Sequence, residues 1–285
     1  MTTVSQSIVL ATRKSPLALR QAELAARIMT DRLGFEVELA TMVTTGDKQA
    51  AWSLQQSGGK GLFTKELETA VLNKRADLAV HSAKDLPTEM PEGLVLAGFL
   101  PREDPRDVLV VREEVEEPKV IATGSPRRRA QLRERFPNVE WVELRGNVET
   151  RLLKIAELGE ADATILAAAG LNRLGIGSFP GLRFEFLSID QYVPAAGQAA
   201  IALQCREGEI ERFSSVCDAV TGDSVTIERA VLEALGGGCQ VAMGVHRRDN
   251  EILVFQEETG CHSLEIADCS QVEVVQQVLA QLGKA

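Results

Sequence analysis

The segment Ala11-Thr12-Arg13-Lys14-Ser15-Pro16 decides the fold, because a second version of it, Ala122-Thr123-Gly124-Ser125-Pro126, lies further along the chain. In both copies an apolar stretch predicts a short buried strand. The Ser-Pro pair that follows predicts the start of a helix, with Ser as its N-cap. Another pair of similar segments occurs at residues 75–80 and 160–165. Matches this short also arise by chance, so two similar lobes are a hypothesis at this point.

Each copy begins a β-α-β-α-β pattern with apolar strands, which is typical of a parallel sheet covered by helices. The fold class is therefore α/β. Residues 102–119 separate the two halves and are rich in charge, with Glu113, Glu114, Glu116 and Glu117 before Pro118, so they predict a hinge region.

The chain changes character after residue 191. Residues 194–204 begin with small side chains and a glycine, and the rest of this range predicts a helix. Further helices are predicted at residues 209–219 and 225–235. The remainder predicts a small third α/β domain with a three-stranded antiparallel sheet, whose first strand begins at Cys239. The expected division is residues 1–100 with 192–217 in lobe 1, residues 103–190 in lobe 2 and residues 219–285 in the third domain.

Composition excludes several classes of protein. The net charge of -10 over 285 residues argues against a partner that is a nucleic acid or a membrane surface. The five Cys show no metal-ligand spacing and the three His are scattered, so we expect no metal site. No apolar run has the length of a signal peptide core or a membrane span, and the odd number of Cys favours a reduced, cytoplasmic protein.

Arginine and hydroxyl side chains recur where predicted strands end and helices begin, which is where parallel α/β folds bind ligands. Hydroxyls and Arg at helix N-termini make anion sites, so a ligand with several carboxylates or phosphates is predicted. A solvated surface charge is the alternative for each Arg taken alone. These candidates are Thr12, Arg13, Ser15, Thr123, Ser125, Arg127, Arg128, Arg145, Arg151 and Arg173.

Two further segments are candidates for chemistry. Asp85 lies beside Lys84 in a strand-end turn, where a carboxylate could face a developing cation, although an ordinary surface ion pair is the alternative. Cys239 follows Gly236-Gly237-Gly238 at the end of a predicted helix. Either the glycines present the thiol to a bulky partner, or they cap the helix before a small buried Cys.

The chain as a whole resembles the porphobilinogen deaminase (hydroxymethylbilane synthase) family. The similar segments follow the order of the family over nearly the whole chain. They are residues 11–19, Gly58-Gly59-Lys60-Gly61-Leu62-Phe63, His81-Ser82-Ala83-Lys84-Asp85-Leu86-Pro87, residues 103–107, Leu144-Arg145-Gly146-Asn147-Val148, Ala169-Gly170-Leu171 and Gly237-Gly238-Cys239-Gln240. Gly124 and Pro126 depart from the family pattern, which puts the contacts of residues 124–126 in doubt.

The resemblance implies two lobes like those of type II periplasmic binding proteins, a small third domain, and a monomer. It also implies a transferase that joins four porphobilinogen molecules head to tail with loss of ammonia and releases hydroxymethylbilane. The family holds a dipyrromethane cofactor through a thioether, here to Cys239. The alternative is a non-catalytic two-lobe protein that binds polycarboxylates; neither the export signal nor the DNA-binding helix pair that such proteins carry is visible.

The resemblance assigns roles to individual residues. Asp85 matches the catalytic carboxylate. The positions expected to hold the cofactor, besides Cys239, are Arg13, Ser15, Ser82, Lys84, Thr123, Ser125, Arg127, Arg128 and Arg145. Those expected to bind substrate are Arg13, Phe63, Arg145, Arg151 and Arg173, with Phe63 as a stacking partner for a pyrrole.

Overall fold

A computed structural model describes residues 7–48, 63–237 and 241–284. Within them, the first sheet has the strand order β2-β1-β3-β10-β4. Its strands are β1 (Ser7–Arg13), β2 (Glu36–Met42), β3 (Leu78–Ser82), β4 (Leu94–Phe99) and β10 (Ile201–Arg206). The helices of this part of the chain are α1 (Pro16–Leu33), the single turn α2 (Thr45–Lys48) and α3 (Lys65–Leu72).

Helix α1 begins where the Ser-Pro pair predicts. The hydroxyl of Ser15 accepts a hydrogen bond from the N–H of Ala18, and the helix ends at Gly34, which has φ 68°. Alternating residues of β1 cover both faces of the sheet, because Leu10 packs in one buried cluster with α1 and Ala11 in another with α3.

The second sheet repeats this topology, with the strand order β7-β6-β8-β5-β9. Its strands are β5 (Asp107–Arg112), β6 (Val120–Ala122), β7 (Glu140–Val142), β8 (Ala163–Ala167) and β9 (Leu182–Phe186). Its helices are α4 (Pro126–Leu132), α5 (Val148–Ala156) and α6 (Ala168–Arg173). Ser125 caps α4 through the N–H of Arg128, as Ser15 caps α1. The two lobes of the predicted repeat are therefore present, and their five-stranded sheets have corresponding strand orders.

The chain crosses between the sheets twice, and in each sheet the strand that follows a crossing is antiparallel to its neighbours. β5 pairs with β8 and β9, while β10 pairs with β3 and β4. Two predictions are corrected here. The predicted hinge of residues 102–119 contains the buried strand β5, and the helix predicted within residues 194–204 is instead a turn followed by β10.

The third part of the chain contains an antiparallel sheet in the order β11-β12-β13, as predicted. Helix α7 (Ile210–Ser214) packs on the first sheet through Phe213. The elements of the third part are α8 (Ala219–Ala234), β11 (Met243–Arg248), β12 (Glu251–Gln256), β13 (Gly260–Glu265) and α9 (Gln271–Gln281). The strand predicted from Cys239 begins at Met243, because Val241 and Ala242 form a bend. Helix α8 begins earlier than predicted, since Asp218 caps it by accepting the N–H of Thr221. No helix among the described residues is long and apolar enough to cross a membrane.

Candidate active site

An open cleft of about 70 Å³ lies at the carboxyl ends of β1 and β3. Strand β1 delivers Arg13 and, after it, Ser15, while β3 delivers Ser82 and the single 3-10 turn Ala83–Asp85 that carries Asp85. Parallel strands that neighbour each other bring their ends to one edge of the sheet, so these side chains converge. Phe63, Gln21 and His81 complete the wall of the cleft.

The guanidinium of Arg13 is held on two sides. Its Nε donates to Oδ2 of Asp47 at 3.4 Å, and Nη2 forms an ion pair with Oδ1 of the same carboxylate. The ring of Phe63 lies over the guanidinium, 4.2 Å from Cζ to the ring centroid. Burial raises the pKa of Asp47, but hydrogen bonds from Arg13 and Thr44 outweigh it and bring that pKa below its usual range.

Asp85 is half-buried at the wall of the cleft. Among the described residues, no group donates a hydrogen bond to its carboxylate. Two cations act on it through space: Lys84 from the same turn, and Arg151 from the second lobe. Within the described part of the chain, the oxygens of Asp85 are therefore without a hydrogen-bond donor, while Lys84 and Arg151 place positive charge near it from both lobes.

The second lobe contributes a cluster of positive charge around the first turn of α5. Asn147 caps this helix by accepting the N–H of Thr150, and Nε of Arg151 donates to the carbonyl oxygen of Gly146 at 2.8 Å. Burial, followed by the charges of Arg128 and Arg145, lowers the pKa of Arg151 to about 10. Cations that lower each other's pKa in this way favour a ligand with several negative charges.

Arg127 and Arg128 are tied to one buried carboxylate. Nη2 of Arg127 donates to Oδ2 of Asp107 at 2.7 Å, and Nη2 of Arg128 donates to Oδ1 at 2.7 Å. Arg127 is only 4% exposed, so it is not a solvated surface charge. Thr123 is buried beside them, and its hydroxyl accepts the N–H of Ser125 at 3.2 Å.

The remaining predicted residues also have defined partners. Ser82 Oγ exchanges hydrogen bonds with the amide of Gln21, and Nζ of Lys84 donates to Oε1 of Gln198 at 3.3 Å. Nη2 of Arg173 donates to the carbonyl oxygen of Ala199 at 2.5 Å. Gln198 and the carboxylate partners of Arg13 and Arg128 could not be selected from the sequence, because none of them stands at the end of a predicted strand.

Cys239 and Gly238 lie outside the described residues, as do residues 58–62. Two different structural features account for Gly236 and Gly237, the glycines that precede Gly238. Gly236 follows α8 with φ 66°, in the left-handed region. At Gly237 a Cβ would lie 2.5 Å from Cδ1 of Leu232, so a side chain there would require Leu232 to move.

Comparison with known proteins decides the family. The family model for the dipyrromethane cofactor-binding domain of porphobilinogen deaminase matches residues 8–213. A curated porphobilinogen deaminase from Syntrophotalea carbinolica is 44% identical over 251 residues, which cover 85% of this chain and 78% of that protein. The chain belongs to the porphobilinogen deaminase family. Family membership confirms the sequence-based assignment and favours it over the non-catalytic alternative.

Porphobilinogen deaminases are hydroxymethylbilane synthases. This chain is accordingly a transferase of tetrapyrrole biosynthesis, which joins four porphobilinogen molecules head to tail with loss of ammonia and releases hydroxymethylbilane. Its cofactor is dipyrromethane.

Two solved structures of other proteins are similar to this chain at low sequence identity. An OxyR variant of Corynebacterium glutamicum has a TM-score of 0.46 and 13% identity, with 83% of this chain and 70% of that chain covered. A periplasmic binding protein of Salmonella typhimurium has a TM-score of 0.43 and 12% identity, with 76% and 94% covered.

Proposed function

We propose that Asp85 is the catalytic carboxylate of this porphobilinogen deaminase and that Cys239 carries the dipyrromethane through a thioether. The observation that supports the role of Asp85 is its place in the cleft, with open carboxylate oxygens and with Lys84 and Arg151 acting on it from two lobes. A carboxylate held in this way stabilises positive charge that develops on a pyrrole as ammonia leaves.

The arginines of the two lobes bind the acetate and propionate groups of the pyrroles. Arg13, Arg145, Arg151 and Arg173 take substrate carboxylates, and Phe63 offers its ring to a pyrrole. Arg13 and Arg145 act on the cofactor as well, together with Ser15, Ser82, Lys84, Thr123, Ser125, Arg127 and Arg128. The bound cofactor supplies the primer to which porphobilinogen units are added, and the residues of the chain orient it and neutralise its charge. Bidentate pairs with Arg give such recognition both energy and orientation.

The role of Cys239 is tested by intact mass. Cys239→Ser should fold but lack the covalently bound mass that the wild-type chain carries above 30.9 kDa. Cys261→Ser, which changes an exposed thiol of β13, is the matched control and should keep the mass. Normal cofactor loading in Cys239→Ser would remove Cys239 from the mechanism.

The role of Asp85 is tested by steady-state kinetics. Asp85→Asn should still bind porphobilinogen but lose turnover by a factor of at least ~100, because positioned charge stabilisation is worth about 3 kcal/mol. Glu92→Gln changes an exposed carboxylate and should leave kcat unchanged. A kcat for Asp85→Asn within a few-fold of wild type would contradict the assignment.

We propose further that the protein is a cytoplasmic monomer without a nucleic-acid partner, and that its domains are residues 1–100 with 192–217, residues 103–190 and residues 219–285. The net charge of -10 supports the absence of a nucleic-acid partner, since nucleic acid would be repelled. The three sheets support the second. Light scattering during gel filtration tests the monomer, and limited proteolysis with mass mapping tests the boundaries.

A further inference from the structure

The two crossings between the lobes lie against each other. Three hydrogen bonds join them: Leu100 N–H to the oxygen of Ile201 at 3.0 Å, Glu103 N–H to that of Ala199 at 3.3 Å, and Arg102 Nε to that of Gln198 at 2.9 Å. The side chain of Gln198, in the second crossing, is fully buried. A buried amide must find partners for both its oxygen and its nitrogen, so its contacts define what it does.

The partners of Gln198 fix the orientation of its amide. Nε2 lies 2.9 Å from Oδ1 of Asp107 and 2.7 Å from the carbonyl oxygen of Pro105, and both of these atoms are acceptors. The nitrogen must therefore face them, and the oxygen Oε1 must face Nζ of Lys84. Gln198 accepts a hydrogen bond from Lys84 of lobe 1. It donates one hydrogen bond to Pro105 in the first crossing and one to Asp107 at the start of β5.

Asp107 continues this chain of contacts into lobe 2. It accepts hydrogen bonds from Arg127 and Arg128, including one from Nε of Arg128 at 3.1 Å. Burial raises the pKa of Asp107, but the charges of Arg127 and Arg128 outweigh it and hold that pKa well below its ordinary value. A continuous path of polar contacts therefore joins Lys84 in lobe 1 to the Arg127 and Arg128 pair in lobe 2.

The backbone before Gln198 is packed directly on the turn that carries Lys84 and Asp85. Gly197 has φ 70°, and a Cβ on it would lie 3.0 Å from Cβ of Ala83 and 3.4 Å from the nitrogen of Lys84. A glycine is needed there because both its conformation and its surroundings exclude a side chain. The second crossing and the catalytic turn thus have one fixed position relative to each other.

We propose that Gln198 is a positioning residue of the reaction: its oxygen holds the ammonium group of Lys84 beside Asp85 and couples it, through Asp107, to Arg127 and Arg128. This inference rests on the roles of Lys84 and Asp85 proposed above. The fully buried side chain of Gln198 would act through Lys84, to which its oxygen is hydrogen-bonded.

The protonation of Lys84 is the property that reports on this contact. Burial and the charge of Arg128 lower the pKa of Lys84 to about 8, the charges of Asp85 and Asp107 raise it, and Arg127 lowers it. The oxygen of Gln198 favours the protonated form, because it accepts a hydrogen bond from the ammonium group. Removing that oxygen should lower the pKa further, and replacing the amide by a carboxylate should raise it.

The experiment is the pH dependence of kcat/KM, measured on cofactor-loaded protein for wild type, Gln198→Met and Gln198→Glu. We expect the alkaline limb to move to lower pH in Gln198→Met and to higher pH in Gln198→Glu. At neutral pH, kcat/KM of Gln198→Met should fall about 10-fold, the usual effect of losing a hydrogen bond to a charged group. A role confined to folding would not move the two limbs in opposite directions. Gln198→Glu lacks the N–H groups that face Asp107 and Pro105, so it should lose stability as well. Lys84→Met leaves Gln198 in place and keeps the test open if neither Gln198 variant folds.

Two comparisons complete the design. Gln131→Met removes an amide that bonds to the N–H and oxygen of Val193, so it should lower stability and leave the pH profile unchanged. Lys84→Met should abolish the alkaline limb of the kcat/KM profile. The double variant of Lys84→Met with Gln198→Met should have the same profile as Lys84→Met alone. If Lys84→Met removes the limb while both Gln198 variants keep the wild-type profile, the inference is wrong. If Lys84→Met itself keeps the profile, the proposed role of Lys84 fails first and the inference falls with it.

Discussion

The guanidinium of Arg102 and the carboxylate of Glu228 form a two-pronged ion pair between the first crossing and the third part of the chain. Nη1 lies 2.6 Å from Oε1 and Nη2 lies 3.0 Å from Oε2. The backbone N–H groups of Gly197 and Arg247 donate to the same carboxylate, which is fully buried. Glu228 therefore links α8 to both crossings and to β11.

Glu228→Gln should lower the free energy of unfolding by about 3–5 kcal/mol, because it leaves the Arg102 guanidinium without its anion. Burial raises the pKa of Glu228, but the charge of Arg102 outweighs it and brings that pKa to about 2, so the carboxylate is ionised at neutral pH. Urea unfolding at pH 7 measures the loss.

The double variant Arg102→Met with Glu228→Met should lose less than the two single variants together, since neither charge then stays unpaired. Glu257→Gln breaks the exposed pair with Arg133, 3.0 Å long, and should cost less than about 1 kcal/mol. If Glu228→Gln lowers the free energy of unfolding no more than the exposed control Glu257→Gln does, the Arg102–Glu228 pair contributes little.

Local sequence signals predicted the elements that begin with strong start signals and missed those that depend on distant pairing. The Ser-Pro pairs at residues 15–16 and 125–126 fixed both lobes, because a cap and a Pro define a helix start within one turn. Strand β10 was predicted as part of a helix, since Ile201-Ala202-Leu203-Gln204 is a short apolar run that suits both structures. Only its place between β3 and β4 makes it a strand.

The candidate site also contains residues that local sequence predicts and residues that only long-range pairing reveals. Arg127 and Arg128 could be selected from the sequence as cations at a helix start, but their common partner Asp107 could not. Asp107 lies in a charged segment, and only the crossing of the chain brings it to the start of α4. Long-range pairs of this kind carry no local pattern, so they are found only in the folded structure.

His81 makes stability depend on pH. Burial lowers its pKa from 6.5 to about 4, and Nε2 lies 3.0 Å from Oε1 of Gln204. The folded protein keeps His81 neutral while the unfolded chain protonates it below pH 6.5, so stability is present above that pH and is lost as pH falls towards 4. Lowering the pH from 7 to 5 should cost about 2 kcal/mol through this residue.

Urea unfolding at both pH values, compared between wild type and His81→Gln, isolates that contribution. The variant should lose about 2 kcal/mol less than wild type over this range. His262→Gln alters a histidine at the protein surface and should behave as wild type. Equal losses in wild type and His81→Gln would contradict the buried neutral state.

Asp47 should set the affinity of Arg13 for substrate. The carboxylate binds the edge formed by Nε and Nη2 and leaves Nη1 for another anion, so it orients the guanidinium towards the cleft. Asp47→Asn should raise KM for porphobilinogen several-fold with a smaller change in kcat. Glu23→Gln, which breaks the exposed pair with Arg20, is the control and should change neither constant. A lower KM in Asp47→Asn would mean that Asp47 competes with substrate instead of orienting Arg13.

Gly98 should resist substitution for two separate reasons. It lies in β4 beside a shift of register, where Leu203 pairs with Gly98 and Gln204 with Leu96, and its φ is 147°. A Cβ at this position would also lie 2.6 Å from Sγ of Cys217. Gly98→Ala should therefore lower the free energy of unfolding by about 2 kcal/mol or more.

Combining Gly98→Ala with Cys217→Ala tests the two reasons separately. The double variant should recover the part of the loss that comes from the clash with sulfur, while the backbone strain of a side chain at φ 147° remains. Thermal and urea unfolding of the two single variants and the double variant give the coupling energy. Cβ of Cys217, which would lie 2.7 Å from the new methyl group, remains in the double variant, so a coupling near zero would mean that sulfur adds nothing to the loss. A complete recovery would mean that the backbone at residue 98 tolerates alanine.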